Sequence, residues 1–128
     1  MINTLPVFLS GLVVGVILFQ TAIIAPTVFR GLEPDQAGPF LRKVFPKFFV
    51  VLAAMGVVGA ILSLVGGATF QLWIFLITLV LGTLAYLLIP MTNKSRDEGN
   101  EKLFKKLHNA SVIMTVLILI VNLFGLAL

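Results

Sequence analysis

Six polar side chains interrupt otherwise apolar stretches of this sequence, and they are its best candidates for chemistry. They are Gln20, Tyr86, His108, Ser111, Thr115 and Asn122. The last four recur at spacings of three, four and seven residues, which places them on one stripe of a helix. Amide, hydroxyl and imidazole groups can hydrogen-bond one another or a ligand, and an imidazole also titrates near neutral pH. The six residues therefore form a candidate polar intramembrane site.

Residue types that the sequence lacks exclude most catalytic and metal-binding chemistry. It contains no cysteine and one histidine, so thiolate nucleophiles, disulfides and sites built from several imidazoles are excluded. The apolar stretches contain no charged residue, whereas pumps, proton relays and voltage sensors usually place one there. We expect no catalytic residues, no metal site and no cofactor, and hence a protein that is not an enzyme.

The elements that carry these side chains are predicted to be membrane-spanning helices. Hydrophobic residues make up 59% of the chain and charged residues 11%, against roughly 45–50% and about 25% in soluble domains. A helix needs about 20 apolar residues to cross a bilayer. Uncharged runs predict one transmembrane domain over residues 1–128, with a retained first span rather than a cleaved signal. The four spans cover residues 5–29, 48–65, 68–90 and 107–127.

The distribution of charge predicts the orientation of these spans. All nine Lys and Arg residues lie in two connections, between the first and second spans and between the third and fourth. The positive-inside rule makes both connections cytoplasmic. We therefore expect an all-α, up-down-up-down bundle of four helices in the cytoplasmic membrane, with both termini on the non-cytoplasmic side. Topology explains the net charge of +4, so no nucleic-acid partner is expected.

The first basic connection has the pattern of a short interfacial helix over residues 36–47. Apolar residues occupy one face, and Arg42, Lys43 and Lys47 occupy another, facing lipid headgroups. Pro46 is expected to kink the chain where it enters the bilayer. This segment either binds anionic lipid or serves as a topological anchor.

The second basic connection is predicted to be a loop over residues 92–100. Ser95 and Glu98 have the spacing of a capping box, which would begin the fourth helix at Ser95. The fourth helix then enters the membrane near Leu107.

Small residues are expected at helix contacts. Gly11 and Gly15 form a GxxxG motif, and Gly56 and Gly59 continue the pattern in the second span. These glycines favour packing within the chain, and self-association is the alternative.

The polar residues allow two interpretations. Each side chain can hydrogen-bond a neighbouring helix. Alternatively, Gln20, Tyr86, Ser111 and Thr115 line a small cavity that opens toward His108. In both interpretations we expect Gln20, Ser111 and Thr115 to face the bundle interior, because Gln20 and Thr115 lie at similar depth.

Three segments resemble the transmembrane protein 205-like family. They are Ala-Pro-Thr-Val-Phe-Arg-Gly-Leu at 25–32, Leu-Arg-Lys-Val-Phe-Pro-Lys-Phe-Phe at 41–49 and Lys-Leu-His-Asn-Ala-Ser at 106–111. The order and spacing of these segments match the family over nearly the whole chain. The resemblance implies a four-helix membrane fold and no established reaction. Members often have an asparagine where this chain has Thr115.

The function that we expect is that of a non-enzymatic accessory protein, scaffold or small permeation bundle. The alternatives are a membrane-embedded binding or redox module and a small-solute transporter acting as an oligomer. In a binding or redox module, Met55, Met91 or Met114 would help to hold a hydrophobic cofactor or soft metal. The expected partners are the bilayer, anionic lipids, and a second copy or another membrane protein.

Overall fold

The computed structural model describes residues 2–128, which form helices joined by short turns. The elements are α1 (Leu5–Phe19), a π-helical segment (Gln20–Ile24), α2 (Ala25–Gly31), α3 (Pro34–Val65), α4 (Thr69–Asp97) and α5 (Glu101–Ala127). Because α1, the π-helical segment and α2 are continuous, the chain has four long helices, each long and apolar enough to cross a membrane. Residues 2–128 contain no strand. The prediction of an all-helical, multi-pass membrane protein is confirmed.

The helices are longer than the predicted spans. α3, α4 and α5 contain 32, 29 and 27 residues. At 1.5 Å per residue they measure about 48, 44 and 40 Å, against a hydrocarbon core of about 30 Å. The surplus lies at the ends that carry the charged residues.

α3 joins two segments that the sequence analysis separated. The predicted interfacial helix over 36–47 and the predicted span over 48–65 form one helix without a break. Pro39 and Pro46 lie inside it, and their missing N–H groups free the carbonyls of Asp35 and Arg42. Both of those residues are exposed, so the helix continues at little cost where polar solvent can hydrogen-bond the freed carbonyls.

The turn between α3 and α4 is formed by Gly66, Gly67 and Ala68, where the predicted second and third spans meet. Gly67 has a φ of +67°, which a residue with a side chain rarely adopts. The amide of Ala68 donates to the Ser63 carbonyl at 2.8 Å, and the amide of Gly67 donates to Leu64 at 3.2 Å. This is a Schellman motif, which satisfies the last carbonyls of α3.

The turn between α4 and α5 repeats the same design and corrects a predicted boundary. Gly99 has a φ of +72°, and the Asn100 amide donates to the Ser95 carbonyl at 2.9 Å. The Asn100 side chain accepts from the Leu103 amide at 3.1 Å and caps α5. α5 therefore begins at Glu101, and the predicted loop and capping box are wrong, because residues up to Asp97 remain in α4.

α3 and α4 form a closely packed pair, and two of the predicted packing glycines lie between them. A Cβ at Gly56 would come within 2.8 Å of the Leu79 backbone, and one at Gly59 would overlap the Phe75 ring. α5 packs against α4 and α1, and α1 contacts α3 less extensively. The main apolar core consists of Val13, Ile17, Phe48, Phe49, Leu52, Ala85 and Ile118.

The GxxxG motif of α1 makes no comparable approach. A Cβ at Gly15 would meet nothing within 4 Å, and one at Gly11 would meet the tip of Leu126 at 3.4 Å, an ordinary contact. The expected packing within the chain is therefore wrong for Gly15. Gly15 instead borders an open groove, and self-association through the motif stays a prediction.

Candidate functional site

The predicted polar stripe of α5 lies partly in the bundle interior. Thr115 is 8% exposed and Asn122 is fully buried, whereas Ser111 is half-buried. The Thr115 hydroxyl donates to the Ser111 carbonyl at 2.9 Å. Thr115 is thus satisfied within its own helix and holds no free donor for a ligand.

Asn122 joins α5 to α4. Its side-chain nitrogen donates at 2.9 Å to the Thr78 hydroxyl and at 2.9 Å to the Ile118 carbonyl. Thr78 is also fully buried, and its hydroxyl donates to the Ile74 carbonyl at 2.9 Å. Hydrogen bonds of this kind between membrane helices contribute about 0.6–2 kcal/mol. For Asn122, interhelical packing is the interpretation that the contacts favour.

Ser10 of α1 is a further buried polar residue of the interior and was not among the predicted site residues. It is fully buried, and a Cβ at Gly125 would lie 2.7 Å from its hydroxyl oxygen. The Ser10 Oγ and the Asn122 Oδ1 have no hydrogen-bond partner. The spacing of Ser10 from Val13, Val14 and Ile17 could have revealed its interior position, because these residues share one helical face.

Tyr86 does not belong to the interior group, which corrects its predicted role. Its side chain is 42% exposed, while the preceding residue, Ala85, is fully buried. One residue turns an α-helix by about 100°, so the face that buries Ala85 and Gly82 directs Tyr86 outward. Tyr86 borders a shallow apolar groove on the outer surface of the α3–α4 pair.

His108 is exposed and does not cap a polar cavity. Its imidazole stacks on the Phe104 ring, with the centroids 5.8 Å apart, and Arg96 lies over the same ring at 4.7 Å. His108 stays uncovered because α2 packs against α3, through Val28 and Ala37, rather than against α5.

Gln20 is the interior polar residue of the first long helix, and it begins the π-helical segment. Its carbonyl accepts from the Ala25 amide, five residues ahead. Pro26 follows and has no N–H, so the regular hydrogen-bond ladder is interrupted here. Bulges of this kind are frequent at functional sites.

The Gln20 side chain is 6% exposed, and its Nε2 has no hydrogen-bond partner. An unsatisfied buried donor costs about 1–3 kcal/mol. Among the predicted site residues, Gln20 therefore keeps a buried donor for a ligand.

Gln20 lines a lateral groove between the first long helix and the first half of α3. The groove measures about 530 Å³, within the range of roughly 300–1,000 Å³ that is usual for ligand pockets. Its walls are apolar apart from Gln20. The lining residues are Gly11, Leu12, Gly15, Val16, Phe19, Gln20, Ile24, Phe40, Val44 and Phe48.

The charged end of the bundle contains an ion pair that involves one of the predicted lipid-facing residues, Arg42. Arg42 donates two hydrogen bonds to Asp97, at 2.6 and 3.2 Å, and contacts the Asn93 carbonyl at 3.4 Å. It thus joins α3 to α4, and the predicted contact with headgroups stays a prediction. Lys43 and Lys47 are exposed, and neither is in an ion pair of the described chain.

The described residues contain no cluster of His, Cys, Asp or Glu that could hold a metal ion. The methionines proposed as soft-metal ligands have different environments. Met91 is 53% exposed, whereas Met55 and Met114 are partly buried and pack against the apolar core.

Residues 8–101 match the sequence profile of a protein family described as Domain of unknown function (DUF4149). The chain belongs to this family. The DUF4149 match includes every residue of the lateral groove and the Arg42–Asp97 pair, and it ends at the first residue of α5.

One relative of this DUF4149 chain is described as an uncharacterized protein from Aquifex aeolicus (strain VF5). It is 30% identical over 105 residues, which are 82% of this chain and 79% of the relative. No solved structure matches the chain. The resemblance to the transmembrane protein 205-like family stays a prediction.

Proposed function

We propose that this chain is a non-enzymatic accessory protein of the cytoplasmic membrane whose basic, cytoplasmic end binds anionic lipid. The observation that carries the proposal is a set of exposed lysines at one end of the bundle that form no ion pair in the described chain. They are Lys43, Lys47, Lys102, Lys105 and Lys106. Basic residues near an anionic bilayer surface each contribute about 1 kcal/mol to association.

Contacts between the helices support an up-down-up-down orientation with the charges together. Arg42, near the start of α3, pairs with Asp97 at the end of α4. Arg96 lies over the Phe104 ring, near the start of α5. Both basic connections therefore meet at one end, and the positive-inside rule makes that end cytoplasmic.

The opposite end carries no charged side chain. A Cβ at Gly66 would come within 3.2 Å of the Asn3 side chain, so Asn3 lies beside the α3–α4 turn. α5 also ends on this side, because Gly125 contacts Ser10 near the start of α1. This end is proposed to be the non-cytoplasmic one.

The interior favours an accessory or scaffold role over permeation by a single chain. Val13, Leu52, Phe75 and Ile118 are each at most 1% exposed and fill the centre of the bundle. The polar pair formed by Asn122 and Thr78 is engaged in hydrogen bonds between helices. A water-filled path between the helices would require these contacts to open.

The test is the lipid preference of the full-length chain reconstituted in mixed phosphatidylglycerol and phosphatidylcholine bilayers. Spin-labelled lipids measure which headgroup remains next to the protein. We expect a preference for phosphatidylglycerol that weakens as salt increases, because salt screens exposed charges. Replacing the five lysines by Gln should remove this preference.

Lys94→Gln is the matched control, because Lys94 lies 3.9 Å from Glu98 and its charge is already paired. It should leave the lipid preference close to that of the wild type. Equal association of both lipids with the wild-type chain would contradict the proposal.

A further inference from the structure

The lateral groove has the dimensions and walls of a site for a hydrocarbon chain. Its lining side chains are apolar apart from one, and Gly15 leaves space where any other residue would place a side chain. The groove opens laterally on the surface of the bundle, between α1 and α3. In a bilayer, this opening would face the lipid acyl chains.

Gln20, which lines the groove, carries one donor that is buried beneath the groove surface. The Nε2 of Gln20 has no hydrogen-bond partner, and the side chain is 94% buried among apolar neighbours, with 6% exposed. A pure hydrocarbon would leave this donor unsatisfied. An occupant that carries a carbonyl oxygen beside its hydrocarbon chain would satisfy it.

Positive charge lies at one end of the same surface. Phe40, Val44 and Phe48 line the groove, and Lys43 and Lys47 share their helical face, at the spacing i, i+3, i+4, i+7 and i+8. Both lysines are exposed, and neither forms an ion pair in residues 2–128. Arg42 is directed toward α4 instead, where it contacts Asp97.

We propose that this groove binds an anionic diacyl phospholipid. One acyl chain lies along Gly15, the Gln20 amide turns so that its Nε2 donates to the ester carbonyl, and the phosphate headgroup lies at Lys43 and Lys47. This inference rests on the proposed function and deepens it, because it assigns a specific site to the anionic lipid. A second copy fits less well, because a symmetric dimer through this surface would bring the lysines of both copies together.

The test is lipid binding to the purified, delipidated full-length chain, followed by native mass spectrometry with dioleoyl phosphatidylglycerol or dioleoyl phosphatidylcholine. We expect one phosphatidylglycerol to be retained by the wild-type chain at activation energies that remove phosphatidylcholine. Gly15→Leu should abolish this retention, because the new side chain occupies the groove. Gly38→Leu is the matched control, since a Cβ there also meets nothing within 4 Å but lies outside the groove.

Gln20→Leu separates a ligand contact from a structural role. We expect it to weaken phosphatidylglycerol binding about three- to tenfold, the range for one lost hydrogen bond. The melting temperature of the lipid-free chain should stay the same or rise, because an unpartnered donor has been removed. A lower melting temperature with unchanged lipid binding would contradict the assignment.

The lysines supply the headgroup preference. The Lys43→Gln, Lys47→Gln double variant should weaken phosphatidylglycerol binding about 25-fold, or about fivefold per lysine. Its binding of phosphatidylcholine should be unchanged. An equal loss for both lipids would contradict a headgroup at these lysines.

Three further outcomes would overturn the inference for distinct reasons. If the five-lysine variant loses its lipid preference in bilayers but Gly15→Leu retains tightly bound phosphatidylglycerol, the proposed function holds and the groove assignment is wrong. If Gly15→Leu instead converts a dimer to a monomer, the groove is a contact between copies. If the wild-type chain has no preference in either assay, the proposed function fails as well.

Discussion

At the scale of single residues, one buried polar pair connects two helices, whereas the other buried hydroxyls mainly bond carbonyls of their own helix. Asn122 and Thr78 are fully buried, and their hydrogen bond joins α5 to α4 in a region without water to compete for it. Such hydrogen bonds contribute less to the stability of membrane proteins than the lack of competing water would suggest. The reason is that polar side chains of the unfolded chain also find hydrogen-bond partners in the membrane. Gln20 differs from this pair because its donor is buried without a partner.

Asn122→Ala should destabilise the fold by about 0.6–1.7 kcal/mol, the range measured for bonds between membrane helices. Thr78→Val removes the partner hydroxyl at nearly constant shape. A double-mutant cycle of the two substitutions, followed by unfolding in mixed micelles, should give a loss smaller than the sum of the single losses. Asn109→Ala, at an exposed position of the same helix, is the control. Additive losses would show that the bond contributes nothing.

The glycines of α3 should be far less tolerant than those of α1. Gly56→Ala and Gly59→Ala force a methyl group against the Leu79 backbone and the Phe75 ring. We expect each to cost about 1–3 kcal/mol, as overpacking usually does. Gly15→Ala should be neutral or stabilise the helix by up to about 1 kcal/mol. The same unfolding assay checks all three, and a destabilising Gly15→Ala would contradict the open groove.

Sequence reasoning located the buried polar residues better than it grouped them. It expected Gln20 and Thr115 inside, and both are buried. It also placed Tyr86 beside them, although the face of α4 that packs inward is defined by Gly82 and Ala85. The phase of an apolar helix is difficult to read from its sequence, because lipid-facing and protein-facing side chains have the same polarity.

At the scale of the elements, the uncharged runs predicted the existence of each helix, but the helix ends depended on local backbone chemistry. Charged residues were taken to end the spans, yet α3 and α4 continue through them for several turns. A helix remains stable outside hydrocarbon when its neighbours support it, and Arg42 and Asp97 connect these two extensions. The thickness of the hydrocarbon core therefore predicted the minimum length of each helix but not its maximum length.

The start of α5 offers a direct comparison of two capping schemes. Asn100→Ala should cost about 0.5–2 kcal/mol, because it removes the acceptor for the Leu103 amide. Glu98→Ala should change stability by less than about 0.5 kcal/mol, as most surface substitutions do. Under the capping box expected from sequence, Glu98 would instead be important. Stability in mixed micelles and hydrogen exchange of the first turn of α5 distinguish the two.

At the scale of the whole molecule, charged and apolar side chains are separated along the bundle. The end at Asn3 and the α3–α4 turn carries no charged side chain, the centre is filled by apolar side chains, and the other end carries the basic residues. The lateral groove reaches from the uncharged half, at Gly11, to the basic half of α3, at Phe40. A sequence pattern cannot reveal such a groove, because it depends on how loosely α1 and α3 pack.

The orientation of the four helices, with the basic end in the cytoplasm, is the claim on which lipid binding depends. The sequence contains no cysteine, so single cysteines introduced at exposed positions report on their own side of the membrane. Cysteines at Thr4, Thr69 and Ala127 should react with an impermeant thiol reagent added outside intact cells. A cysteine at Glu98 should react only after the cells are permeabilised. Labelling at Glu98 from outside, or protection at both Thr4 and Ala127, would contradict the orientation.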